Sequence, residues 1–415
     1  MSNETKKCKS KCVNLPRDKC YKGCIYTDHC RLSSKYKLDK KTCKLLKRTE
    51  PPSIQSFRIP KKDIASNILH PSILSYSPEI NKILVQSRYS PKYDIFDAIT
   101  QCMNIDVEEY TLKDSILKYY INPKIKLKNG ECVAYWNTDA QALFLDNLSK
   151  HNIINIDSLI VPKQSYYNCW FNTSIMMNYI SDKGRKFNKY FRQYMITGKM
   201  KNLNPFLKKL KAPLFLFNIA IEATLHGNIL AKIMNTNDLI EKIHEGIPKE
   251  YKSNIVNKKE YGNPYNYQIA LLNYISNEKY AYHTQNGFLL YSYMKDYGYV
   301  NVNSSIIWAE INQKRSKIIN NKDIYLIDQY KKKYILDSLL LRDTNKKHFC
   351  CLLTINGKEY KYDGAFTPSI IPFQWKNKIF LNSSKDFFNE DLFMEDKSVA
   401  WNMRNGYQVL NYYRI

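Results

Sequence analysis

Apolar positions along this chain recur at two different spacings, and the change between them divides it. After residue 169, Phe171, Ile175, Met176, Tyr179 and Ile180 fall on one face of a helix. Phe187, Tyr190, Phe191 and Tyr194 repeat the helical spacing, so the segment from 183 to about 280 reads as helix-rich, its aromatic stripe turned toward a core. The run Ala212–His226 is apolar but interrupted by Asn218, Glu222 and His226, and it is shorter than the ~20 residues a membrane span needs. A buried helix is expected there. Upstream, Ala140–Leu148 has helical spacing, while Lys82–Gln86 and Gly130–Trp136 look like strands. Beyond residue 324 the chain turns to short apolar runs, Ile324–Ile327, His348–Ile355 and Gly406–Arg414, that read as sheet. Helices followed by strands predict an α+β fold.

One of those runs fixes its own pairing. Asn356-Gly357 separates His348–Ile355 from Lys358–Asp363. Asn-Gly suits a two-residue type I′ turn, which needs positive φ at both positions. Counting outward pairs Ile355 with Lys358, Leu353 with Tyr360, Cys351 with Tyr362 and Cys350 with Asp363. His348 and Asp363 then become diagonal neighbours, roughly 7–8 Å apart at the backbone and within side-chain reach. A slip of one residue would separate them onto opposite faces. The other six of the seven histidines lie in polar, lysine-rich or helical stretches with no carboxylate at strand spacing.

A histidine held by a carboxylate is chemically useful beside a nucleophile, and Cys169 is the candidate. It stands where the loop Pro162–Asn168 enters the helical pattern, facing unpaired backbone N–H groups and the positive end of the helix dipole. Both favour thiolate. Gln164, five residues earlier, can offer its side-chain amide to an oxyanion. Each residue also has an ordinary reading. A cysteine ahead of a helix is often a small core residue, Gln164 a loop amide and Asp363 a turn acid. The catalytic reading gains because order and geometry agree on one mechanism.

These residues resemble a family. Gln164, Cys169, Trp170, Asn172 and Thr173 look like the cysteine box of the papain-like ubiquitin-specific proteases, with Gln where that family has Asn. His348, Phe349, Tyr360, Tyr362 and Asp363 are similar to its histidine box, although no pair of CxxC zinc knuckles lies between the two. The resemblance implies a papain-like fold with Cys169 on the helical part and His348 and Asp363 on an antiparallel sheet. It implies a thiol protease cleaving amide or isopeptide bonds without a catalytic cofactor. Cys169 would be nucleophile, His348 base, Asp363 the orienting acid and Gln164 the oxyanion donor. The substrate would be a protein: ubiquitin, a ubiquitin-like modifier or a viral precursor.

The first fifty residues read as a separate module. Cys8, Cys12, Cys20, Cys24, Cys30 and Cys43 cluster among lysines, with too few apolar residues for a core. If the module folds rather than staying disordered, zinc, with His29 as a further ligand, or three disulfides would have to hold it together. Glu50-Pro51-Pro52-Ser53 marks a linker. The expected division is therefore 1–50 for the Cys-rich module, 51–155 for a mixed α/β extension and 156–415 for the peptidase domain. Cys102 and Cys132 are expected to be packing residues.

Composition sets the surroundings. A net charge of +26 over 415 residues favours a polyanion or a virion component as partner. It equally fits the lysine-rich usage of AT-rich genomes, such as those of the large DNA viruses of protists, which implies host cytoplasm or the particle as location. A mean hydropathy of −0.50 and a charged amino terminus predict no membrane partner and no signal peptide. The alternative to a peptidase is a basic virion structural or nucleic-acid-associated protein with a non-catalytic peptidase-like fold.

Overall fold

In a computed structural model of the chain, the residues described are chiefly 123–149, 153–200, 203–252, 262–275, 300–311, 324–343, 348–379 and 407–415, with shorter pieces elsewhere. The chain forms two units, Met1–Arg58 and Ile59–Ile415. In the first, β1 (Cys24–Tyr26) pairs antiparallel with β2 (Cys30–Leu32), and β3 (Tyr36–Leu38) with β4 (Leu45–Lys47). The side chains of Cys8, Cys12, Cys20, Cys24, Cys30 and Cys43 lie outside the described residues, as does the strand expected over 82–86.

The second unit is α+β. A small hairpin, β5 (Lys124–Lys126) and β6 (Cys132–Ala134), leads into α1 (Thr138–Ser149). This segment, placed by sequence in an extension, packs on the helices. Tyr135 and Phe144 both meet the ring of Phe215 at 4.8 Å, and the Gln141 amide donates to the Ile196 carbonyl at 3.1 Å. Cys102 and Cys132 are not the packing residues expected. They form a disulfide with Cα atoms 5.7 Å apart, and Cys132 is exposed. Thirty residues separate them, so no local pattern announces the pairing.

The helical layer follows: α2 (Cys169–Ile175), a π-turn over Met176–Ile180, α3 (Asp182–Phe187), α4 (Lys189–Thr197), α5 (Lys208–His226), α6 (Leu230–Ile233), α7 (Thr236–Gly246) and α8 (Asn266–Tyr274). The run expected to be a buried helix is α5, enclosed from Pro213 to Leu225. Its Glu222 carboxylate pairs with Arg192 of α4, whose Nε donates to Asn218 at 2.9 Å. Burial pushes Glu222 up to about 8 and Arg192 down to about 9, since each charge is costly away from water.

The strands are β7 (Ala281–Thr284), β8 (Ile306–Ile311), β9 (Tyr325–Ile327), β10 (Lys333–Arg342), β11 (Phe349–Ile355), β12 (Lys358–Tyr362), β13 (Ile370–Pro372) and, closing the chain, β16 (Gln408–Arg414), after α9 (Trp375–Ile379) and a short pair, β14 (Phe387–Phe388) and β15 (Ala400–Trp401). The main sheet runs β13-β12-β11-β10-β16-β8-β7, with β9 also on β10. Every pair is antiparallel except β7 with β8. The last strand thus lies inside the sheet, where Val409, Leu410, Tyr412 and Tyr413 are buried.

The Asn-Gly hairpin has the expected register, from Ile355↔Lys358 to Cys351↔Tyr362, with φ of 52° at Asn356 and 74° at Gly357. Its tip is tied down as well. Asp182 accepts from the N–H groups of Asn356 and Gly357, each at 2.8 Å, and the Asn356 side chain exchanges two hydrogen bonds with the backbone of Ile154. A bulge in β10 between Leu336 and Ser338 frees Asp337, which accepts from the N–H groups of Lys183 and Gly184 at the start of α3. Burial, reinforced by Asp182, pushes Asp337 up to about 6. The hairpin and the bulge together fasten sheet to helices.

Candidate active site

Cys169 is the first residue of α2, and Asn168 before it stands at the cap without capping the helix through its side chain. The Asn168 side chain instead staples the approaching loop. It accepts from the Ser165 N–H at 2.9 Å and donates to the Lys163 carbonyl at 3.1 Å and to Thr236 Oγ1 at 2.8 Å. The Thr236 hydroxyl in turn donates to Asn172 Oδ1 at 2.7 Å, and Asn172 Nδ2 donates to the Lys163 carbonyl at 3.1 Å. Asn237 adds bonds to the Ser165 carbonyl and hydroxyl. The loop ahead of the cysteine is therefore held by α2 and α7 from within, through buried amides. Between the staples, Tyr166 takes a φ of 50° and is 80% exposed. Positive φ on a bulky residue is a strained conformation that the surrounding bonds must maintain.

Cys169 itself is a free thiol, 4% exposed. The aromatic ring that follows it is locked in place. Trp170 stacks on Tyr267 at 5.5 Å, and a Cβ on Gly262 would stand only 2.5 Å from the indole. From the same helix Thr173 Oγ1 donates to the Phe349 carbonyl at 3.4 Å, which draws the start of α2 onto the start of β11.

His348 and Asp363 lie at that end of the sheet. His348 does not open the strand, as expected, but precedes it by one residue, its carbonyl accepting from the Asp343 N–H at 2.8 Å. Asp363 likewise follows the last residue of β12. The two side chains meet as the register requires, with His348 Nε2 2.7 Å from Asp363 Oδ1 and 2.8 Å from Oδ2. Asp363 is fully buried, and its Oδ1 also accepts from the Ala365 N–H at 2.9 Å. Cys169 lies near enough to the same imidazole to help raise its pKa.

Burial works against a charged His348, but its hydrogen bond to Asp363 and the nearby Cys169 outweigh that penalty and raise it to about 10. The imidazole therefore carries its proton at neutral pH, the state in which it would balance a neighbouring thiolate.

Gln164 lies beside this pair. A Cβ placed on Gly364 would come within 3.1 Å of Gln164 Oε1 and 2.8 Å of the Tyr362 hydroxyl, so the absent side chain of Gly364 makes room for the glutamine next to Asp363. The Gln164 amide has no hydrogen-bond partner among the described residues. It also borders a groove of about 1030 Å³ that runs between the loop 156–164 and the outer strands of the sheet.

A second histidine–carboxylate pair lies at the same end of the sheet. His283 Nε2 of β7 is 3.0 Å from Glu310 Oε2 of β8. Asn263 Nδ2 donates to Glu310 Oε1 at 3.2 Å and to the Tyr407 hydroxyl at 3.1 Å. Burial would raise Glu310, but hydrogen bonds from His283 and Tyr407 bring it below its usual value. Sequence reasoning set His283 aside because Glu310 is its neighbour only through parallel pairing, in which His283 faces Trp308. No turn links those strands to count from. Thr236 and Asn237 were missed too, since a polar side chain at a helix start ordinarily signals a cap.

No family model matches the chain, and no curated protein matches it.

Proposed function

We propose that this chain is a cysteine peptidase of papain-like arrangement, and that it cleaves amide or isopeptide bonds. The observation that carries the reading is the His348–Asp363 hydrogen bond, its acid fully buried on the sheet, with Cys169 at the start of a helix near enough to act on the same imidazole. A thiol, an imidazole and a carboxylate in that order are what nucleophilic acyl transfer requires. Cys169 sulfur attacks the scissile carbonyl carbon, and the imidazolium of His348 passes its proton to the departing amine. A thioester remains. His348, now neutral, takes a proton from water as that water attacks the thioester, and the acid leaves with the thiolate restored. Asp363 holds the ring and its charge through both steps. Gln164 and the Cys169 N–H are the donors assigned to the two oxyanions.

Protein substrates fit this chemistry: ubiquitin, a ubiquitin-like modifier or a viral precursor. The disulfide between Cys102 and Cys132 favours an oxidising setting, such as an assembled particle, over reducing cytoplasm. No helix among the described residues is long and apolar enough to cross a membrane.

The direct test is brief iodoacetamide treatment of the native protein followed by mass mapping, with ubiquitin vinyl sulfone as a second probe. Cys169 should alkylate well ahead of Cys350 and Cys351, whose thiols burial pushes far up. If Cys169 is among the slowest, the peptidase reading is lost. Labelling by the ubiquitin probe would add the substrate class; alkylation without it would point to another protein substrate.

A further inference from the structure

The groove beside Gln164 has two walls with unused backbone. One is β13, the outermost strand of the sheet among the described residues. Its pairing with β12 runs through Ser369 with Asp363, Ile371 with Lys361 and Phe373 with Glu359. In an antiparallel ladder the alternate residues turn their N–H and C=O groups outward. Those residues are Pro368, Ile370 and Pro372, and all three line the groove while Ile371 does not. Both prolines lack an N–H, so Ile370 supplies the outward donor and the three carbonyls supply acceptors. This guards the edge against indiscriminate pairing and still leaves it able to take an extended chain.

The other wall is the stretch 159–164, which belongs to neither helix nor strand. Among the described residues, no hydrogen bond engages the N–H groups of Ile160, Val161, Lys163 or Gln164. This wall ends at Gln164, five residues before the thiol.

Charge distinguishes the occupant. Lys163, Lys232 and Lys358 line the groove, are exposed and have no ion-pair partner among the described residues, against a single acid, Asp157. We propose that the groove binds an extended acidic peptide and that Lys163, Lys232 and Lys358 select for carboxylates on the stretch of substrate leading to Cys169. This rests on the peptidase reading for its direction, since Cys169 is where the bound chain would be cut.

Binding tests it on the full chain, without requiring turnover. Fluorescein-labelled decapeptides alternating Val with Glu, Gln or Lys are titrated by anisotropy, alongside an oligo-dT of matching charge. Three exposed pairings should make the Glu peptide bind about tenfold more tightly than the Gln peptide. The triple variant K163E/K232E/K358E should reverse the preference toward the Lys peptide, a gain that a misfolded protein would not give. N-methylation of alternate peptide nitrogens should weaken the Glu peptide by about tenfold, because it removes strand-type bonds and leaves the charges.

Equal binding of Glu and Gln peptides overturns the proposal. So does a triple variant that keeps the acidic preference, which would place binding elsewhere on this basic chain. Oligo-dT that displaces the Glu peptide with equal affinity would make the groove a general polyanion site and also overturn it. Cys169 alkylation is measured on the same samples. An unreactive thiol with charge-reversible peptide binding sinks the peptidase reading alone, whereas a reactive thiol without such binding sinks only this inference.

Discussion

Asp363→Asn separates the charge of the acid from its shape. Asn keeps Oδ1, so the acceptor for the Ala365 N–H survives, but the second contact with His348 Nε2 becomes an amide nitrogen and the negative charge goes. A buried hydrogen bond to a charged group is worth roughly 1.5–3 kcal/mol. At 1.36 kcal/mol per pH unit, its loss should lower His348 by between one and two units, from about 10 toward about 8. The sign for stability follows from the raised value. In wild type, the contribution of protonated His348 is fully present below the unfolded histidine value near 6.5 and is lost as pH rises through about 10. In Asp363→Asn that loss should start from the same unfolded value but be complete one to two units earlier, and be smaller. Proton–nitrogen correlation spectra of the imidazole, followed with pH, give the titration directly, and urea denaturation at several pH values gives the linkage. Alkylation of Cys169 at pH 7 should slow in the same variant, as His348 loses the carboxylate that holds its ring and charge. A titration midpoint within 0.3 units of wild type would mean that Asp363 does not hold the charge of His348, and the proposed mechanism would lose its third member.

Two further outcomes follow from the buried polar groups. Thr236→Val keeps the shape but takes one of two acceptors from Asn168 Nδ2 and leaves Asn172 Oδ1 without its donor, so it should cost about 1–3 kcal/mol in urea denaturation and slow Cys169 alkylation as the loop loosens; unchanged stability would show that the loop is held some other way. Glu222→Ala leaves Arg192 buried without its carboxylate and should cost about 3–5 kcal/mol, measured as a fall in the thermal midpoint, while replacing both residues by apolar ones should recover most of it.

What could be read along the chain was what neighbours in sequence decide. A helix face follows from side chains three and four residues apart, and α2 and α5 begin and end within a few residues of the apolar patterns that announced them. The Asn-Gly turn is local as well, and because it pins one pair, it fixes all the others in β11 and β12. That is why the contact between His348 and Asp363, fifteen residues apart, could be counted out beforehand. The tertiary structure decided whatever depends on distant elements closing on each other. It brought β16 between β10 and β8, set His283 beside Glu310 across a parallel pair, and joined Cys102 to Cys132. It also gave Asn168, Asn172 and Thr236 to one another rather than to helix caps, since a buried amide takes whichever partner the packing brings within reach. The contact of Cys169 with His348 belongs here too. Nothing local relates residues 169 and 348. They meet because Thr173 and the tied-down hairpin tip draw α2 and β11 together, and burying the faces of both makes that closure favourable.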